Sequence, residues 1–191
     1  NLERFDSEHL VFSWQLVFEQ KWGAYKVGMM EDGLSALNIA QQYLYHDLNL
    51  LEQEQVRQIK KVLINQKSQI EAYTNLRSDY LLACGASPVV TTQAACIYHL
   101  MQKNGKIKFV MPQEGGFIST ENFAILKPSL KHDLAYLFIN FMYQKKVMAN
   151  YIRKTNFLPA RTDLLHETNL DYIGGAAQLF AQLKQAKLAY F

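Results

Sequence analysis

Hydrophobic positions along this chain recur at two different periods, and the two kinds of segment alternate. Residues 34–46 place Ala36, Leu37, Ala40, Tyr43 and Leu44 at helical spacing. Residues 52–66 repeat the signal with Val56, Ile59 and Leu63 opposite Arg57, Lys60 and Lys61. Residues 131–143 carry Leu134, Leu137, Phe138, Phe141 and Met142, a strong amphipathic stripe, and a further helix is predicted over 145–154. A short apolar helix is predicted over residues 9–21, with Leu10, Trp14, Leu16 and Val17, ended by Gly23. A last helix is predicted over 175–189, after Gly174-Gly175.

Between these lie extended segments. Tyr25 to Met30 reads as a strand, Ile70 to Tyr73 as a weaker one, and Tyr80 to Cys84 as a strand ended by Gly85. Lys106 to Met111 alternates, with Ile107, Phe109 and Met111 on one face. Pro112 and Gly115-Gly116 then make a turn, and Phe117 to Leu126 is extended again. Residues 87–103 predict a helix, although Val89, Val90, Thr91 and Thr92 are poor helix formers. Glu31-Asp32-Gly33 is a turn, with Asp32 placed to cap the helix that follows. Strands alternating with helices predict an α/β architecture around a partly parallel sheet.

Composition narrows the function classes. The 191 residues are 49% hydrophobic and 13% aromatic, enough for a packed core. A net charge of +3 is far below what a nucleic-acid-binding face concentrates, so nucleic acid is not an expected partner. Lys60-Lys61 and Lys145-Lys146 read as solvated helix faces. No apolar run approaches the length of a membrane helix. The chain starts at Asn1, which is expected of a mature product or an excised segment and is compatible with export. Cys84 and Cys96 are expected to be free, mostly buried thiols, at a strand end and in mid-helix. No Cys or His pair has zinc spacing, so neither metal nor cofactor is expected. Cys84 with His99 lacks a third orienting group, and no enzyme activity is expected.

The most specific stretch is Val110-Met-Pro-Gln-Glu-Gly-Gly-Phe-Ile-Ser-Thr-Glu-Asn-Phe-Ala-Ile125. A short strand, a Pro-x-Glu-Gly-Gly turn and an extended segment with a carboxylate resemble the spermidine/putrescine-binding proteins of ABC importers. Leu134 to Met142, with its Ile-Asn-Phe core, Asn156-Phe-Leu-Pro-Ala-Arg161 and the Gly174-Gly-Ala-Ala177 run resemble that family's later segments, in order. Ser13-Trp14 and the strand to Glu31-Asp32 resemble the opening of its second lobe. The resemblance spans almost the whole chain. It implies a periplasmic-binding-protein-like fold of type II, with the second lobe in residues 1–119 and 164–191. Residues 120–163 would be a crossing segment and helices of the first lobe, whose main part is absent from this sequence. The implied function is an extracytoplasmic, periplasmic receptor that hands a small polar or cationic solute to an ABC permease in the membrane.

The resemblance also assigns a ligand site and weakens it. An ammonium needs a carboxylate, and methylene spacers are best held between aromatic rings. Asp32 and Glu121 match cleft carboxylates of the family. Ser35 stands where the family has a second carboxylate, and Ala83 and Ser119 stand where it has tryptophans. The set Asp32, Ser35, Ala83, Ser119 and Glu121 therefore implies altered specificity, toward a smaller and more polar solute. The alternative is a half-receptor that docks on a permease, a partner chain or a missing N-terminal lobe without binding solute.

Overall fold

The computed structural model describes residues 1–5, 10–19, 23–49, 52–75, 77–117, 119 and 121–167. The predicted helix at 175–189, the Gly174–Ala177 run and Trp22 lie outside the described residues.

Three parallel strands form the centre: β1 (Val27–Met29), β2 (Ile70–Tyr73) and β3 (Val89–Val90), in the order β2-β1-β3. A middle strand covered on both faces must be apolar throughout. Val27 and Met29 are 1% and 0% exposed. They pack with Val17 and Ile39, joined by Trp14, Phe18 and Tyr25. Gly28 lies against Leu81 and Val90, where a Cβ would stand 2.8 Å from a methyl of each. The absent side chain lets the flanking layer sit close.

The connections are helical, as parallel pairing requires. After β1 come α2 (Gly33–Tyr45) and α3 (Gln53–Gln66), which lead to β2. Asp32 caps α2, as its sequence position predicts, accepting from the N–H groups of Leu34 and Ser35. Gln55 closes the first turn of α3 by accepting the Glu52 N–H at 2.8 Å. At the far end of α3, the buried Gln66 side chain donates to the Val17 carbonyl at 2.8 Å. That carbonyl belongs to α1 (Gln15–Phe18), the described remnant of the helix predicted over 9–21.

Four expectations are corrected. Tyr80–Cys84 is not a strand but the body of α4 (Ser78–Ala83), which buries Ser78, Leu81 and Leu82. Gly85, at φ +75°, ends it in the left-handed conformation typical of helix C-termini. A five-residue apolar run carries no period that distinguishes helix from strand. The helix predicted over 87–103 begins only at Ala94, as α5 (Ala94–Lys103). Its β-branched start is β3, where such side chains pack on a pleated surface. Lys106–Phe109 alternates in burial, with Ile107 1% exposed among Leu82 and Ile97, but Val110 is half-buried like Met111, and among the described residues the segment joins no sheet. The described part of Phe117–Leu126 likewise forms no helix and joins no strand ladder. Finally, Cys84 and Cys96 are free but exposed. Cys84 caps the end of α4, and α5 buries Ile97 and Tyr98 instead of Cys96.

The Pro-x-Glu-Gly-Gly turn is a junction. Glu114 is buried, and its carboxylate accepts from the Ser13 hydroxyl and, at 3.2 Å, from the Trp14 N–H. Its backbone carbonyl accepts from the buried Gln42 side chain of α2. The Trp14 indole donates to the Gly115 carbonyl at 2.9 Å, and its ring lies 5.9 Å from that of Phe117. Gly115 adopts φ +102°, and a Cβ there would stand 3.1 Å from the Gln42 amide. At Gly116 a Cβ would overlap the Met111 methyl.

Beyond the turn, α6 (His132–Met142) and α7 (Lys145–Thr155) run on to a 3-10 segment, Thr162–Glu167. Ala149, Ile152 and Leu164 form a small core there, separate from the two cores of the sheet region. The amphipathic α6 has no buried residue.

Candidate functional site

All three strands run in one direction, so their carboxyl ends open on one edge of the sheet. In open parallel sheets, ligands bind outside the carboxyl ends, where the strand order reverses. With β1 in the middle, that position lies between β1 and β3. A cleft of ≈ 360 Å³ sits there, lined by Met30, Asp32, Ser35, Asn75, Thr92, Gln93 and Cys96. Met30, Asp32 and Ser35 follow β1, Asn75 follows β2, and Thr92, Gln93 and Cys96 follow β3.

The strand ends are held in register by bonds that continue past the sheet. Thr91 donates its N–H to the Gly28 carbonyl at 2.9 Å, and its hydroxyl accepts the Met30 N–H at 2.8 Å. Thr74 donates its N–H to the Met29 carbonyl at 2.8 Å. Asn75 and Glu31 exchange two bonds of 3.3 Å, backbone N–H to amide oxygen and amide nitrogen to carboxylate. The cleft walls are thus set by the sheet.

Asp32 supplies the one carboxylate among the described lining residues, and α2 uses it. Oδ2 accepts the Ser35 N–H at 2.8 Å and Oδ1 accepts the Leu34 N–H at 3.4 Å. The Ser35 hydroxyl, then its N–H, hold the Asp32 carboxyl below the ordinary carboxylate range. Asp32 remains negative, with much of its lone-pair capacity already engaged and the positive end of α2 beside it. Gln93 precedes α5 without making a side-chain cap, so the amide is free to turn into the cleft. Partial burial raises the pKa of the Cys96 thiol.

The five residues expected at the site are thus dispersed. Asp32 and Ser35 share the cleft. Ala83 ends α4 and is exposed, outside the cleft lining, because the strand expected to deliver it is a helix. Ser119 and Glu121 are exposed on the extended segment and do not line the cleft. Asn75, Thr92, Gln93 and Cys96 are additional lining residues that the sequence reading passed over. Their signal was positional: each follows a parallel strand or opens the next helix, and recognising Val89-Val90 as a strand would have exposed three of them. Among the described residues, the cleft therefore offers hydroxyl, amide and thiol groups with one engaged carboxylate, and no aromatic ring. Such a lining can hold a small polar molecule by hydrogen bonds and an oriented charge.

Among the described residues, no three His, Cys, Asp or Glu side chains come together as a metal site. No helix among them is long and apolar enough to cross a membrane. No curated protein matches the chain. The family model described as bacterial extracellular solute-binding protein matches residues 3–179. With a cleft at the carboxyl ends of a parallel sheet and a match over nearly its full length, the chain belongs to the bacterial extracellular solute-binding proteins, a family that binds small solutes outside the cytoplasm and acts in transport.

Proposed function

We propose that this chain is the solute-capturing part of an ABC import system, working in the periplasm, related to polyamine-binding proteins but with altered ligand specificity. It delivers a small polar or cationic solute to a membrane permease and carries out no catalytic step. The observation that supports this best is the cleft between the ends of β1 and β3. The proposed architecture is the two-lobed type II arrangement, with residues 1–119 and 164–191 in the second lobe and 120–163 in the first. Ala149 and Ile152 of α7 have a core apart from those of the sheet region, which supports setting α7 apart, although Leu164, at the first position of the returning segment, packs with them. The lining argues against a polyamine as the preferred solute. A diamine needs two carboxylates and gains from flanking rings, whereas the described residues of this lining hold one engaged carboxylate and no ring.

A thermal-shift screen of polyamines, amino acids and small cations tests the reading. A solute that binds only the native state at 100 times its Kd adds about 2.7 kcal/mol and raises the melting temperature measurably. Gln93→Ala and Ser35→Ala are expected to weaken that shift, since both line the cleft and neither is a core residue. A melting temperature unmoved by every compound would defeat the proposal.

One observation favours a second reading, an interaction module without solute. On α6, Leu134, Leu137, Phe138 and Phe141 are between 51% and 67% exposed. Patches of that kind mark interaction surfaces. Light scattering decides between the readings: a monomer whose solubility is indifferent to Leu137→Lys and Phe138→Lys speaks against the module.

A further inference from the structure

We infer that Glu114 is a positioning residue, which fixes the direction in which the extended segment carrying Ser119 and Glu121 leaves the sheet region. The inference deepens the receptor reading and rests on it for its link to solute capture.

Three attachments converge on the Glu114-Gly115 turn, two of them on Glu114 itself. The Glu114 carboxylate takes the Ser13 hydroxyl and the Trp14 N–H, which ties the turn to the start of α1. The Glu114 carbonyl takes the Gln42 amide, which ties the same turn to α2. The Trp14 indole then holds the next carbonyl, that of Gly115, at 2.9 Å. Ser13, Gln42 and Glu114 are all buried, at 3%, 8% and 9% exposure. Under such cover, breaking one of these bonds strands a buried polar partner.

The consequence lies in what each attached element carries. The first turn of α2 holds Asp32 and Ser35, one wall of the cleft. The segment rooted at the Glu114 turn leads through Ser119 and Glu121 to α6 and α7, which have their own core. Glu114 is therefore the point at which the cleft helix and the outgoing segment are bolted together. The exposed Ser119 and Glu121 can work with the cleft only if the direction of that segment is set, and beyond Phe117 the described segment has no ladder to set it. The two glycines serve the same junction. Gly115 leaves room for the Gln42 amide, and Gly116 leaves room for Met111.

Spin labels test this in the full chain. With Cys84→Ser and Cys96→Ser as background, labels at Lys60→Cys on α3 and Asn140→Cys on α6 report the distance between the sheet region and the α6–α7 region. The expected result is a narrow distance distribution with Glu114 present. It broadens in Glu114→Ala and, less so, in Ser13→Ala, and Glu114→Gln restores much of it, because one amide oxygen can still accept the Trp14 N–H. Ser13→Ala keeps the test meaningful if Glu114→Ala fails to fold. An unchanged distribution in folded Ser13→Ala and Glu114→Ala overturns the inference. So does a broadened distribution for a Glu114 or Ser13 variant whose affinity for a shifting solute, measured with Cys84 and Cys96 in place, stays within roughly twofold of the native chain, a difference below about 0.5 kcal/mol. If no compound in the screen shifts the native chain, the receptor reading fails by itself, and the distance distributions still decide whether Glu114 sets the segment.

Discussion

The Ser13 hydroxyl donates to the Glu114 carboxylate across 101 positions of sequence, and this bond gives the Glu-Gly-Gly turn its physical meaning. Glu114 is the acceptor, Gly115 supplies a backbone conformation and a gap for Gln42, and Gly116 supplies a gap for Met111. The three positions should then differ in tolerance. Glu114→Ala leaves the Trp14 N–H and Ser13 hydroxyl without their acceptor and should cost about 2–3 kcal/mol. Gly115→Ala should cost about 1–3 kcal/mol, from backbone strain at positive φ. Gly116→Ala should cost no more than about 1 kcal/mol, because a methionine methyl swings aside easily. Urea unfolding with an unchanged slope would measure all three. Equal losses at the two glycines would contradict this assignment.

Gly28 is a second small residue with a definite reason. Its Cβ would meet the Leu81 and Val90 methyls at 2.8 Å, and Val90 is too stiff at χ1 to move away. Gly28→Ala is expected to destabilise by about 1–3 kcal/mol, read as a fall in melting temperature. A neutral outcome would mean that the central strand packs less tightly than described.

Asp32 couples stability to pH. Its folded pKa lies below the unfolded value, chiefly through bonds from Ser35. Its contribution is therefore present above the unfolded carboxyl value of about 3.9 and is lost as pH falls through the lower folded value. Asp32→Asn keeps a capping oxygen and removes the charge. The native chain should melt higher than Asp32→Asn from pH 7 to pH 5, with the difference closing below about pH 4. A difference that stays constant down to pH 2 would assign the effect to something other than this carboxylate.

Cys96 offers a chemical reading of the cleft. Partial burial raises its thiol pKa, so less thiolate is present at neutral pH than for a free cysteine. Alkylation at Cys96 should be slow at pH 7 and continue to accelerate above pH 9. A bound solute should protect Cys96 while leaving Cys84, which is outside the cleft lining, reactive. Mass spectrometry of the two peptides separates them. Equal protection of both would indicate a global effect instead of occupancy of the cleft.

Much of the local structure was legible because it follows from short-range rules. The 3.6-residue stripes of α2, α3, α6 and α7, the cap at Asp32 and the strands at Val27 and Ile70 are each determined by neighbours within a turn or two. The errors fell where the local signal is degenerate. Tyr80-Leu-Leu-Ala-Cys84 fits either element, and Leu81 and Leu82 become helical through the layer they cover. Lys106–Met111 alternates as a strand would, but a ladder needs a partner, and among the described residues β3 pairs with β1 alone. The site divides in the same way. Asp32 and Ser35 were legible from the turn after β1, whereas Asn75, Thr92, Gln93 and Cys96 are joined to them only by the parallel pairing of β1 with β2 and β3.

By itself, then, the sequence determined an alternating α/β chain, a capped helix at Asp32 and a Pro-x-Glu-Gly-Gly turn, since each depends on residues close along the chain. Only the tertiary structure decided that Glu114 faces Ser13 and Trp14, that the cleft lies between β1 and β3, and that Ala83, Ser119 and Glu121 lie outside its lining. Those are relations between segments tens of residues apart, and they arise from burial and strand order, which no local pattern encodes.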